Sequence, residues 1–383
     1  MTDESDTATP LDADSERHAT NLELFLDLVF VFAVTQIASL ISLHHSGTGT
    51  AKGLLVAVLV WWQWSQFAWS GSAVDLQSET RTRVMVLCSI PVTLLMTVSI
   101  PGAFNDTAIW FGAAYLGVQL VAISLQGLYG VVDDETRRGF VRYASVAVFA
   151  PTLVLVGAFA HGNARVVVWA IAALINVIGG LRAGGGSWVI GPVHFAERHA
   201  LFIIIALGEV LVTAGASATE TGLRGQIAAA IAVSVAVACT IWWTYFAYIP
   251  KVTEHALRRA HGAERGRLAR DLFTFGHFPL VFGIILYAVV VKHLVPAPEG
   301  HLSVDDRWLL SLSVICFVGG LALTQYRVVR KVAPERLVAI VVTVVWCAAA
   351  KWMPGLATVG GIAVVHATMQ AITLRRLQDS TST

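Results

Sequence analysis

Glu23 and Asp27 stand four residues apart in an apolar run, so a helix would place both on one face. Glu209 lies in a second such run, within Gly208-Glu209-Val210-Leu211. Ionisable groups inside a membrane are costly and mark ion, proton or substrate pathways. Acids so placed can exchange a proton or hold a cation, and Glu23, Asp27 and Glu209 are read as the proposed ion or substrate pathway. The plainer alternative is that each acid is hydrogen-bonded glue between neighbouring helices. Just ahead of the second run comes His194-x-x-Glu197-Arg198-His199. It lacks the His-Glu-x-x-His spacing that sets two imidazoles on one helix face for zinc. His194, Glu197, Arg198 and His199 are read instead as a gate at the cytoplasmic mouth. The bland alternative has Glu197 complementing a helix dipole while Arg198 reaches back to water.

The remaining polar features carry less. His277 and His366 sit singly in apolar runs and read as satisfied core histidines. Gly184-Gly185-Gly186 follows no strand and has no dinucleotide-binding context. Trp61, Trp62, Trp64 and Trp69, like Trp242 and Trp243, read as interfacial anchors and packing. Cys88, Cys239, Cys316 and Cys347 lie in apolar runs without Cys-x-x-Cys spacing, and read as small core residues. No catalytic residue, metal site or cofactor is expected, and enzyme activity stays an alternative reading. With a net charge of +1 there is no nucleic-acid signature.

The elements that must position these groups are set by composition. Of 383 residues, 56% are hydrophobic and 13% charged, with a mean hydropathy of +0.69. Soluble domains carry about 25% charged residues, so a water-soluble enzyme is excluded, and so is general disorder. The expected fold is all-α, a polytopic membrane protein whose partner is the lipid bilayer. Runs of the required length, about 20 residues, fall near 20–42, 54–70, 84–101, 108–130, 141–160 and 164–181. Six more fall near 199–218, 226–249, 273–295, 307–327, 336–352 and 355–374. The last two could be one helix kinked at Met353-Pro354-Gly355. The first run holds thirteen Leu, Ile, Phe and Val residues between 22 and 41. At about −0.3 to −0.6 kcal/mol each, they outweigh acids at about 2.5–3.5 kcal/mol, provided the acidic stripe faces the bundle interior.

Loop charge sets the orientation. Of 26 Lys and Arg residues, only Lys52, Arg165, Arg224, Lys292, Arg307 and Lys351 fall on the side opposite the N-terminus. Cytoplasmic loops retain basic residues, so both termini are expected in the cytoplasm. The Lys251–Arg270 loop reads as a helical extension meeting anionic headgroups. Residues 1–16 read as a disordered acidic tail with no signal peptide, leaving targeting to the first span, and 376–383 as a second disordered tail.

The chain also reads as a duplication, with repeats at 17–183 and 184–375. Glu16-Arg17-His18 matches Glu197-Arg198-His199, and an acid follows each Glu by eleven or twelve residues, at Asp27 and Glu209. Trp61-Trp62-Gln63-Trp64 matches Trp242-Trp243-Thr244-Tyr245, and Pro91 matches Pro279. Six spans per copy is an even number, so the copies are parallel, a plan that secondary transporters use.

Two long motifs resemble the bacterial low temperature requirement A (LtrA) family. One is Glu23-Leu24-Phe25-Leu26-Asp27-Leu28-Val29-Phe30-Val31-Phe32-Ala33. The other runs from His194-Phe195-Ala196-Glu197-Arg198-His199 through Ala206-Leu207-Gly208-Glu209. The resemblance covers about 15 to 375. Leu26 stands where the family often has a second aromatic, and Val210 where a small polar residue is common. The resemblance implies an integral membrane protein linked by name to growth in the cold, with no settled activity to carry over. Three readings follow: a proton- or cation-coupled transporter or ion pathway using the acids of spans 1 and 7, a non-transporting protein of low-temperature or stress adaptation, and an intramembrane enzyme. The moved species would be a proton, a cation or a small molecule; the oligomeric state is left open.

Overall fold

The computed structural model of the chain describes residues 18–73, 79–129, 147–183 and 190–381, with residues 137, 141, 144 and 145. The described residues are all-α. The helices are α1 (Asn21–Leu43), α2 (Gly47–Ala73), α3 (Thr80–Val98), α4 (Ala108–Tyr129), α5 (Phe149–Ala158), α6 (Asn163–Ala183) and α7 (Pro192–Thr221). They continue with α8 (Gly225–Phe246), α9 (Ile249–Arg259), α10 (Gly262–Ala269), a π-helical turn (Arg270–Phe275), α11 (Gly276–Leu294), α12 (Val304–Val329), α13 (Pro334–Ala349) and α14 (Gly355–Thr381).

Among the described residues, nine helical stretches are long and apolar enough to cross a membrane. They are α1, α3, α4, α6, α7, α8 continuing into α9, α10 continuing into α11, α12 and α14. The other three expected runs also fold as helices. However, the described part of α5 is 10 residues long, α13 is 16, and α2 is diluted by Gly, Ser and Gln. Helix α7 starts at Pro192 rather than near 199, and α14 runs to Thr381, where the sequence reading places a tail from 376. The acidic tail 1–16 and Gly184-Gly185-Gly186 lie outside the described residues.

Two compact units divide the chain, and they do not follow its sequence halves. The first is drawn from Met1–Ala33, Val58–Arg198 and Leu257–Arg270, the second from Val34–Ala57, His199–Ala256 and Asp271–Thr383. In the first unit α3, α4, α5 and α6 pack each on the next. Small residues admit close approach: a Cβ on Gly112 would lie 2.9 Å from the Leu155 Cα, and one on Gly157 would lie 2.7 Å from the Trp169 ring. Arg165 ties two turns together, donating to the carbonyls of Ala158 (3.2 Å), Ala160 (3.1 Å) and Asn105 (3.2 Å).

The second unit is organised around α11, in which every residue from Leu280 to Val291 is buried. A Cβ on Gly283 would sit 2.7 Å from the Ser313 carbonyl oxygen and 2.9 Å from the Phe317 nitrogen, so α11 and α12 approach backbone to backbone. Helices α13 and α14 form an antiparallel hairpin. Trp346 Nε1 donates to the Thr358 carbonyl at 2.9 Å, and at the far end Arg376 donates to Glu335 at 2.7 Å. Pro354 lacks the N–H a continuous helix needs, and the next two amides bond elsewhere, Gly355 to Gly300 and Leu356 to Pro298. Met353-Pro354-Gly355 is therefore a turn between two helices.

Large apolar side chains point outwards along α3, α6 and α13, among them Leu87, Leu94, Val167, Leu174, Val341 and Val345. Water would not sustain so continuous an apolar surface, whereas lipid would. All four cysteines are free; Cys347 is buried as expected, but Cys88 and Cys239 are exposed, so they are not core residues. Gly283→Leu should lower stability by at least the 1–3 kcal/mol typical of overpacking, because no rotamer relieves a Cβ pressed on backbone. Thermal unfolding of detergent-purified protein measures this.

Candidate functional site

Helix α1 begins with a capping box. The Thr20 N–H donates to Glu23 Oε2 at 2.9 Å while the Glu23 N–H donates to Thr20 Oγ1 at 3.3 Å. The box fixes the Glu23 carboxylate at the start of an apolar helix, and one turn later Asp27 shares its face. Both acids are buried, at 1% and 0% exposure.

Their partners come from α7 and α2. His194 and Arg198 are also four residues apart, so α7 offers them together. His194 Nε2 lies 3.0 Å from both Glu23 oxygens. Arg198 Nη1 donates to Glu23 Oε1 at 3.3 Å and to the Phe67 carbonyl at 3.3 Å, and its Nη2 donates to Asp27 Oδ1. Trp64 Nε1 on α2 donates to the same Asp27 oxygen at 2.8 Å. The guanidinium carbon also stands 5.8 Å from the Trp64 ring centroid.

The result is a dry quartet of two carboxylates, a guanidinium and an imidazole within the first unit. Removing such charges from water costs several kcal/mol per ion unless they are paired. Pairing here is close but incomplete: Asp27 Oδ2, Arg198 Nε and His194 Nδ1 are buried without a hydrogen-bond partner. With a neutral imidazole the quartet bears one net negative charge, and one added proton makes it neutral.

The four expected gate residues make different contacts. Arg198 is 0% exposed and does not reach back to water; α7 starts seven residues earlier than the expected span, which carries Arg198 inside. Glu197 faces the other way, accepting from the Ala19 N–H at 2.9 Å and meeting His18 Nδ1 at 3.1 Å. His199 belongs to the second unit, its ring 5.0 Å from that of Phe273 and 5.1 Å from that of His277.

Glu209 occupies the second unit, 5% exposed. Thr35 Oγ1 donates to its Oε2, and Thr213 Oγ1, one turn along α7, donates to its Oε1 at 2.8 Å. Among the described residues no cation reaches it. These two hydroxyls provide the polar company that Val210 does not.

His277 is satisfied at both nitrogens. Because the Leu272 carbonyl can only accept, Nδ1 carries the hydrogen (2.9 Å), and Nε2 accepts from the Tyr245 hydroxyl at 2.7 Å. The main residue that sequence reasoning missed is Trp64, read as an interfacial anchor but 0% exposed and bonded to Asp27. One polar Gln63 within Trp61-Trp62-Gln63-Trp64 was the available signal that this helix faces the interior.

Removing the one guanidinium strands two acids. Arg198→Gln should destabilise by about 3–5 kcal/mol, the cost of breaking a buried pair. Adding Asp27→Asn should recover part of that loss, since one buried charge fewer then lacks a partner. Thermal melts of the two single variants and the double variant give the coupling.

A family model described as "Bacterial low temperature requirement A protein (LtrA)" matches residues 18–371. An uncharacterized protein of Rhizobium meliloti (strain 1021) is 30% identical over 282 residues, covering 70% of this chain and 67% of the relative. No solved structure matches. A match spanning nearly every described helix, including both acid-bearing motifs, leaves one conclusion: the chain belongs to the bacterial low temperature requirement A family of multi-pass membrane proteins.

Proposed function

We propose that this chain passes a proton or a cation across the membrane, with Glu23, Asp27 and Glu209 as the carrying acids. The observation that carries the reading is the buried quartet: a fold needing only glue would not bury two carboxylates and a guanidinium where apolar residues pack as well. The quartet's two charge states differ by one proton, and the unpartnered Asp27 Oδ2 and His194 Nδ1 offer places for it. Glu209, held by hydroxyls without a cation, is suited to bind a proton or a desolvated cation in turn. His194 and Arg198 pair with the acids of the quartet, and His194, Glu197, Arg198 and His199, neighbours along the chain, are the residues proposed to gate the cytoplasmic mouth.

The frame of this reading is twelve spans in two parallel six-span copies, with both termini cytoplasmic in a bacterial plasma membrane. Helices at all twelve expected positions support it, as does an internal proline in each of α3 and α11, the third span of each copy. The strongly unequal split of basic loop residues supports the orientation. The family's description favours a second reading, a non-transporting protein of cold adaptation; the quartet is then only structural.

Proton or cation flux into vesicles reconstituted with purified protein separates the two. Wild type should support flux, and Asp27→Asn and Glu209→Gln should each reduce it at least tenfold. Flux that both variants leave unchanged removes these acids from the pathway, and no wild-type flux above empty vesicles removes the pathway itself. Cysteines substituted at Glu79 and Glu264 should label only from the cytoplasm, and one at Glu299 only from outside. The reverse pattern inverts the orientation.

A further inference from the structure

At one end of the second unit, three side chains from three separate segments converge on a point. His45 lies in the turn between α1 and α2, His293 in the last turn of α11, and Asp306 in the first turn of α12. His45 Nε2 stands 3.0 Å, and His293 Nδ1 2.6 Å, from the same oxygen, Asp306 Oδ1. All three ligand atoms lie within 4.8 Å of one another. The Asp306 side chain is 6% exposed and the two imidazoles are 28% and 24% exposed, so the point is recessed but reachable.

We propose that His45, His293 and Asp306 bind a divalent transition-metal ion of the zinc class. Two imidazoles and a carboxylate suit Zn²⁺ or Co²⁺, whereas Mg²⁺ and Ca²⁺ select all-oxygen shells. Bond lengths of about 2.0–2.2 Å put tetrahedral ligand atoms about 3.4 Å apart. Opening the present 2.6 and 3.0 Å contacts by less than an ångström therefore admits the ion.

The supporting contacts already aim the ligands. His293 Nε2 lies 2.9 Å from Ser42 Oγ, which can accept its hydrogen and turn the Nδ1 lone pair toward the ion. Ser303 Oγ donates to Asp306 Oδ2 at 2.7 Å and accepts from the Asp306 N–H at 2.9 Å. That cap explains Oδ2 and the start of α12, while Oδ1 meets the two imidazoles, hydrogen-bonded to His293 Nδ1. The second imidazole needs the same explanation. His45 Nε2 is buried and has no hydrogen-bond partner, because its approach to Asp306 lacks the alignment of one. A cation at the shared point satisfies both nitrogens and the carboxylate together. Three protein ligands leave a fourth position open to water or an incoming ligand, and the ion cross-links the α1–α2 turn to the ends of α11 and α12.

The test is direct and independent of any flux. Tag-free protein in detergent is stripped with chelator, then titrated with Zn²⁺ by calorimetry and with Co²⁺ by visible absorption. Wild type should bind one equivalent of either ion, and Co²⁺ should give the intense bands of a four-coordinate nitrogen and oxygen site. His45→Ala, His293→Ala and Asp306→Asn should each weaken binding at least tenfold, and Ser42→Ala about tenfold, while His301→Ala should leave it unchanged. Ser42→Ala removes no ligand, so its effect and the wild-type Co²⁺ spectrum stand even if a ligand variant folds poorly. Wild type binding no more metal than the triple variant would overturn the assignment. So would a weak octahedral Co²⁺ spectrum, or Ca²⁺ competing on equal terms.

Discussion

One guanidinium sets the terms for the first unit. Arg198 faces Glu23 and Asp27 across helix contacts from which water is excluded, and it also donates to the backbone at Phe67. Its position fixes the relative rotation of α1, α2 and α7 around it, because each helix must turn a polar group to the same spot. Apolar packing alone tolerates sliding by a fraction of a turn, whereas a buried ion pair does not, since a lost partner leaves a charge in a low-dielectric interior. The acid pair on α1 and the His-Arg pair on α7 use the same four-residue spacing, so the two helices match turn for turn.

The two acidic sites of the proposed pathway are built differently. In the first unit the carboxylates meet a permanent positive charge and an imidazole, and their charge is nearly balanced within the protein. In the second unit Glu209 meets only hydroxyls, which can donate to it when ionised or accept from it when protonated. The first arrangement holds its geometry strongly, and the second adapts to a change of charge with small rotations of two side chains.

Much of the architecture was legible in the sequence because membrane insertion writes itself in long apolar runs. All-α folding and the candidate membrane spans follow from that signal, and family membership from the two long motifs that carry the acids. Boundaries followed less well: α7 extends to Pro192 since His194, Glu197 and Arg198 look like loop residues until their buried partners are known. The capping box at Thr20 and Glu23 is written plainly as Thr-x-x-Glu before an apolar run, and marks the start of α1. Trp64 could not be assigned from composition, for tryptophans at a bilayer interface and in a bundle interior look alike in sequence. The cluster of His45, His293 and Asp306 was invisible for another reason: its members lie far apart along the chain, and only folding brings them together.

Helix α11 bears on how the chain is made. Its composition is apolar enough to cross a membrane, yet every residue from Leu280 to Val291 is buried in the protein. During synthesis it leaves the ribosome before α12, α13 and α14, so it enters the bilayer with much of its side-chain surface facing acyl chains. Its backbone-close packing on α12 can form only once α12 has been made. That packing exchanges lipid for protein along one side of α11, and a chain truncated before α12 would leave α11 without that neighbour.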